Sequence, residues 1–253
     1  NLQTAVDLGV IDRFETDLTR AVAGADMVVV CVPLGAMEAV FAGIKGHLEE
    51  HAVLTDAGSA KGSVIEAAQR AFGHVPEFFV PGHPIAGTEQ SGVEASFSSL
   101  YVDRRVILTP LPGTAVNATD RVREMWQAAG AQVVSMDPVH HDAVLAATSH
   151  LPHVLAFSLV DTLSRLDETD EVFDYAAGGF RDFTRIASSD PVMWRDICVA
   201  NGDAIQLMIE HYVADLQGVS EAIQNQDGEQ LLDIFSRAKA ARDRYIDKQG
   251  RSG

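Results

Sequence analysis

The chain has 253 residues, 47% of them hydrophobic and 22% charged, and a formal net charge of -17 at pH 7. That length provides interior for one large domain or two ordinary ones, and the composition is globular. The negative charge repels nucleic acid and anionic membrane surfaces at long range, so neither is expected as a partner, and an anionic ligand must be drawn in by a local cluster of cations.

In chain order, Leu2, Ala5, Val6 and Leu8 recur at helical spacing, and Gly9 is placed to end that helix. Val10-Ile11 reads as a short strand and Leu18 to Val22 as a brief helix. Met27-Val28-Val29-Val30-Cys31-Val32, a β-branched run closed by Pro33, reads as a strand buried on both faces. The alternation continues with a helix from about Met37 to Leu48, a strand Ala52 to Thr55, a helix Ala60 to Ala71 and a strand Phe78 to Val80. A strand Arg105 to Thr109, a helix Thr119 to Ala129 and a strand Gln132 to Ser135 follow. Strands alternating with helices imply right-handed βαβ units and a parallel sheet. From His141 onward the pattern is helical only, broken near Ala176 to Gly179 and near Ser188 to Pro191. The expected fold is therefore α/β: a Rossmann-type parallel sheet domain over residues 1–138, then an all-helical domain over 139–253. Val154, Leu155, Leu159, Val160 and Leu163 make one helix more apolar than a small domain covers, so an intimate homodimer is expected, with a larger internal core as the alternative.

Cys31 and Cys198 show no metal-ligand or redox spacing, which fits the reducing cytoplasm. No stretch reads as long and apolar enough to span a bilayer, and no signal peptide opens the chain.

In open parallel sheets, ligands bind beyond the carboxyl ends of the strands. Three strand exits carry chemistry: Cys31-Val32-Pro33-Leu34-Gly35-Ala36-Met37, Asp56-Ala57-Gly58-Ser59-Ala60-Lys61-Gly62 and Pro81-Gly82-His83-Pro84. Pro84 biases His83 toward an extended backbone and holds it at its strand exit, a good place for a catalytic base and equally an ordinary turn. Ser59 either caps the following helix or joins His83 from the neighbouring strand at one cleft edge. Asp56 reads as a turn residue. In the helical half, Ser149 and His153 stand four apart and share a helix face. His150 and His153 lack an acidic third ligand, so no metal is expected, and His140 and His141 read as surface residues. Arg181 and Arg185, also four apart, suit a substrate with two carboxylates, each clamped bidentately; salt bridges to the abundant acids are the alternative.

DAGSAKG, PGHPIAGTEQSG, SHLPH and GGFRDFTRIASSDPVMW, in that order and at these separations, resemble the prephenate dehydrogenase family of tyrosine biosynthesis, including its cyclohexadienyl and arogenate dehydrogenase members. The resemblance spans about Leu8 to Tyr245. It implies a nucleotide-binding Rossmann domain joined to a helical dimerisation domain, and oxidative decarboxylation of prephenate with hydride transfer to NAD, or to NADP. It further implies that His83 takes the proton of the ring hydroxyl, with Ser59 beside that hydroxyl and the nicotinamide. Arg185 matches the arginine on a substrate carboxylate, while Ser149, His153, Arg181 and Trp194 line up around the substrate pocket. Cys31, Val32, Pro33, Leu34 and Ser59 face the nicotinamide end of the cofactor. The opening strand, GxGxxG turn and helix of the family are not in this sequence, so it reads as part of a longer chain, without the residue that chooses between NAD and NADP. Arogenate is the alternative substrate. A β-hydroxyacid dehydrogenase shares the two-domain plan but needs a lysine on the first helix of the helical half, where this sequence has histidines. A binding subunit without a complete cofactor site is the non-catalytic alternative.

Overall fold

A computed structural model of the chain describes residues 2–88, 90, 92–166 and 169–250; Glu89 and Ser91 of the PGHPIAGTEQSG motif lie outside these. The backbone forms two compact units, Asn1–Ile205 and Gln206–Gly253.

The first unit opens with two short helices, α1 (Leu2–Asp7) and α2 (Leu18–Ala21). Strands β1 (Met27–Val30), β2 (Val53–Asp56) and β3 (Phe79–Val80) then form a parallel ladder in that order. Helix α3 (Met37–Ile44) connects β1 to β2, and α4 (Lys61–Phe72) connects β2 to β3. Every residue of β2 is buried, because helices cover both faces of the sheet. Leu54 and Phe79 pack with Phe41, Ile44 and Val64 on one side. Val53 and Val80 pack on the other with Val122 and Trp126 from α5 (Val116–Ala128). Successive strand residues point to opposite faces, so a continuous apolar run fits this double burial.

Three expectations change. Val10 and Ile11 are not a strand, since their amides bond back to the Ala5 carbonyl at 2.9 and 3.3 Å and close α1, with Gly9 at φ +68°. Strand β1 is half-buried at Met27, Val28 and Val29, because it stands at the end of its ladder. His83 is not in a turn. It sits in β4 (Gly82–Pro84), which pairs antiparallel with β5 (Arg105–Leu108), while β6 (Gln132–Ser135) runs parallel to β5. Pro81 is the hinge between the ladders; its carbonyl accepts from the Thr109 amide at 2.9 Å.

Helical structure follows: α6 (Pro138–Leu145), a π-helical turn at Ala146–His150, and α7 (Leu151–Ser164). Asp137 caps α6 through the Val139 and His140 amides, with Pro138 in the first turn, where a missing N–H costs nothing. Pro152 has no amide to offer the preceding turn, and the helix widens just before it. Pro138–Ser164 is thus one helical run of 27 residues containing an 18-residue window of mean hydropathy 1.5, long and apolar enough by length and composition to cross a bilayer. That corrects the expectation of no such stretch; His140, His141, Asp142 and Pro152 interrupt its apolar pattern in sequence. His141 and Asp142 on this run bond to the sheet and its loops, so this end is packed against protein. Then come α8 (Thr169–Asp174), α9 (Gly178–Thr184), a 3-10 turn Arg185–Ser188, α10 (Pro191–Ala200), α11 (Gly202–Gln224) and α12 (Gly228–Gly250).

The sheet encloses an ion pair between Lys61 and Asp56, both fully buried. Removing one partner strands the other charge in a low-dielectric interior. Lys61→Ala is therefore expected to lower the unfolding free energy by about 3–5 kcal/mol in urea titrations; a loss within ordinary surface-mutation scatter, roughly 0.5 kcal/mol, counts against this role.

Candidate functional site

The site is built outward from Asp56, at the carboxyl end of β2. One carboxylate oxygen accepts from the Gly58 amide at 2.7 Å and from the Lys61 ammonium, and the other accepts from the Gly82 amide at 3.1 Å. Lys61 Nζ also donates to the Gly82 carbonyl at 2.6 Å. Both backbone groups of the residue before His83 are therefore held by buried charges. A side chain at position 82 would bring its Cβ to 3.1 Å from the Asp56 carbonyl, a tight contact that glycine avoids. Asp56 is a clamp and not merely a turn residue. Burial pushes the Lys61 ammonium down in pKa, against the pull of Asp56 and then Asp142.

Ser59 does not cap α4. The N-cap is Ala60, without a side-chain bond, and the first-turn amides of Lys61 and Gly62 donate at 2.8 Å each to the Asp142 carboxylate of α6. Ser59 is half-buried, and its hydroxyl makes no hydrogen bond to the described residues. The loop after β1 touches the loop after β2: a Cβ on Gly58 would fall 2.8 Å from Leu34 Cδ2. Pro33 leads into a 3-10 turn, Leu34–Ala36, that lies against α10, with the Gly35 amide 3.4 Å from Asp196 Oδ2. Cys31 and Pro33 are exposed and Val32 and Leu34 half-buried.

His83 is 8% exposed and His141 fully buried, their Nδ1 and Nε2 atoms 2.9 Å apart. His141 Nδ1 lies 2.7 Å from Asp142 Oδ1. The placement of His141 overturns its reading as a surface residue. The legible signal is its spacing of four from Leu145, which puts both on the buried face of α6. Burial first, then the Lys61 charge and the cost of a second cation beside the His141 and His150 rings, hold His83 well below the ordinary imidazole pKa, so it is neutral at pH 7. In Asp142 burial raises the pKa, but the hydrogen bonds from His141, Lys61 and Gly62 outweigh it and hold the carboxyl below its usual range.

Asn201 extends this network. Its amide donates to the Asp142 carbonyl at 2.9 Å and lies 3.1 Å from His150 Nδ1. An amide N–H₂ only donates, so His150 carries its proton on Nε2. Burial drives His150 down to about 4, Asp142 pulling it up and His141 and His153 adding to the fall. Burial also lowers His153, against a bond from its Nδ1 to the Ser149 carbonyl at 2.9 Å. The His153 ring stacks on Trp194 at 3.7 Å and 19°, with His150 edge-on to the same indole. Among the described residues, His150 Nε2 and Trp194 Nε1 are buried with no hydrogen-bond partner, as is Trp126 Nε1 in the core beneath the sheet. Such donors cost stability unless something accepts from them, and those of His150 and Trp194 belong to rings in edge-on contact.

Ser149 is half-buried in the π turn and adjoins His153 as its spacing implies. Arg181, in the last turn of α9, and Arg185, opening the 3-10 turn, are both exposed, and their two segments pack against α7, which carries His153. Among the described residues, no three His, Cys, Asp or Glu side chains form a metal-binding group.

A parallel ladder with its helices, joined through the His83–His141 contact to a helical second part, is the architecture of a two-part α/β nucleotide-binding protein. Sequence comparison makes this specific. A family model described as prephenate dehydrogenase, nucleotide-binding domain, matches residues 1–135, and one described as prephenate dehydrogenase, dimerization domain, matches residues 137–237. The chain is similar to a cyclohexadienyl dehydrogenase of Zymomonas mobilis, at 40% identity over 94% of this chain and 80% of that protein. It is 34% identical to a prephenate dehydrogenase of Bacillus subtilis, over 94% of this chain and 65% of that one. The crystal structure of prephenate dehydrogenase from A. aeolicus, in complex with hydroxyphenyl propionate and NAD+, matches with a TM-score of 0.87 at 38% identity, covering 95% of this chain and 84% of that one. The chain belongs to the prephenate dehydrogenase family.

A histidine that stays neutral when folded takes up a proton more readily when unfolded. For His150, stability is complete above about pH 6.5 and is lost as the pH falls toward about 4. The loss is on the order of 3 kcal/mol, with His83 acting in the same direction. Urea midpoints measured across this window should fall, and His150→Gln should flatten the fall; an unchanged slope in the variant removes His150 as its source.

Proposed function

We propose that the protein oxidatively decarboxylates prephenate to 4-hydroxyphenylpyruvate with hydride transfer to NAD, His83 acting as the base. The observation that carries this reading is the buried neutral imidazole of β4, hydrogen-bonded to His141, with its backbone neighbour clamped by Asp56 and Lys61. The β1 and β2 exits fit the nicotinamide end of a dinucleotide: they are in contact through Leu34 and Gly58, with Cys31 and Pro33 exposed. NAD, when bound there, accepts the hydride from the hydroxyl-bearing ring carbon.

His83 takes the proton of the ring hydroxyl as that carbon becomes a carbonyl. The bond to the ring carboxylate then breaks, its electron pair aromatises the ring, carbon dioxide leaves, and His83 returns the proton to the phenolate oxygen. Ser59, with its hydroxyl uncommitted, orients the substrate hydroxyl against His83. Arg185 clamps a substrate carboxylate, while Ser149, His153, Arg181 and Trp194 line the pocket. The stacked His153–Trp194 pair gives a flat wall suited to a six-membered ring.

The protein acts as a homodimer through its helical part. This is supported by the dimerization-domain match and by exposed apolar side chains such as Val199, Leu216 and Ile223. A cytoplasmic location is supported by two cysteines that form no disulfide.

The test is production of NADH and 4-hydroxyphenylpyruvate from prephenate and NAD by the full-length protein. His83→Asn is expected to lower kcat about 10²–10⁴-fold with little change in KM; near-normal turnover removes His83 from the mechanism. Arg185→Lys keeps the charge but loses the bidentate fork, so KM for prephenate should rise markedly while NAD affinity holds. A defect in folding alone would assign Arg185 to structure.

A further inference from the structure

We infer that His141 and Asp142 are positioning residues that hold His83 in the tautomer protonated on Nδ1, leaving Nε2 as the basic atom, and that Asp142 supplies the countercharge when His83 is protonated. This rests on the reading of His83 as the base.

Hydrogen-bond polarity carries the argument. Asp142 Oδ1 accepts from the Lys61 amide and Oδ2 from the Gly62 amide, each at 2.8 Å. An ionised carboxylate has no proton to give, so His141 Nδ1, 2.7 Å from Oδ1, must be the donor. A neutral imidazole carries one N–H, which leaves a lone pair on His141 Nε2. The His83 Nδ1 atom 2.9 Å away then donates to it, and His83 Nε2 keeps its own lone pair. Were His141 doubly protonated, this polarity would reverse. His83 would accept at Nδ1, carry its proton on Nε2 and present no base.

The arrangement closes on itself. Asp142 is fixed to the first turn of α4, where the helix dipole favours a negative charge. Lys61, in that same turn, holds the Gly82 carbonyl next to His83, and His83 meets His141 beside Asp142. The charged or titratable groups around His83 are Lys61 from α4, Asp56 from β2, His141 and Asp142 from α6, and His150 from the π turn. Of these, only Asp142 is joined to the His83 ring by an unbroken chain of ring hydrogen bonds.

The first test does not depend on turnover. In the full-length protein with ¹⁵N-labelled histidine, two-bond ¹H–¹⁵N correlations report the tautomer of His83, assigned by the signals lost in His83→Asn. Protonation on Nδ1 is expected; protonation on Nε2 overturns the inference, whether or not the protein oxidises prephenate. The second test is Asp142→Asn. Losing the negative charge makes the His83 imidazolium less favourable, so the acid limb of kcat/KM should move to lower pH and kcat should fall about 10–100-fold with KM little changed. An unmoved acid limb with unchanged kcat overturns the countercharge role. If the variant fails to fold, the wild-type tautomer decides. A protein with the expected tautomer and no prephenate oxidation would sink the functional reading and leave the tautomer assignment standing.

Discussion

The Asp142 carboxylate accepts from two backbone amides of α4 and from the His141 ring, and through these bonds it ties the helical segment to the sheet. Capping of α4 by a residue some eighty positions downstream has a consequence a local Ser59 cap lacks. The helix terminus is satisfied only when α6 is docked, so formation of the α4 start and placement of His141 belong to one event. Backbone amides are rigid donors, and a carboxylate oriented by two of them can in turn fix an imidazole. The order in which charge and geometry propagate is thus from helix terminus to carboxylate to His141 to His83.

Burial works on these groups in opposite senses. Desolvation lowers His83, His150 and Lys61 and raises Asp142, but hydrogen bonds reverse the outcome only at Asp142. The histidines gathered around Trp194 and the sheet edge therefore remain proton acceptors or neutral donors near pH 7. Asp142, hydrogen-bonded to His141, holds its charge. A low local dielectric also strengthens the field of Lys61 and Asp56, which is why these two act together as a clamp and neither is tolerable alone.

The sheet half was legible because β-branched runs and helical spacing alternate without conflict, from Met27-Val28-Val29-Val30 through Phe78-Phe79-Val80. The exceptions are places where hydrogen bonding overrides pattern. Val10 and Ile11 have strand side chains, but their amides close a helix, and Gly82-His83-Pro84 looks like a turn because its antiparallel partner lies more than twenty residues on. That His83 follows the β3 exit was readable, because a buried apolar run ends at Val80 just before it. His141 was not, because adjacent histidines near a helix start look solvated until the helix is docked. Asp142 and Asn201 were hidden for the same reason: each acts across a long sequence separation, through contacts that no local periodicity records.

The charge balance leaves the question of how a chain of net charge -17 receives a dianion. Exposed acids more than a Debye length away, about 8 Å at physiological salt, are largely screened and contribute little at the site. Groups inside the packed wall are not screened to the same degree. There the carboxylates of Asp56 and Asp142 are already engaged, by Lys61 and by backbone and ring N–H groups. Two buried N–H groups here, His150 Nε2 and Trp194 Nε1, have no hydrogen-bond partner among the described residues. For the function proposed above, Arg181 and Arg185, on segments packed against α7, supply the cations that an anionic substrate needs in an acidic chain.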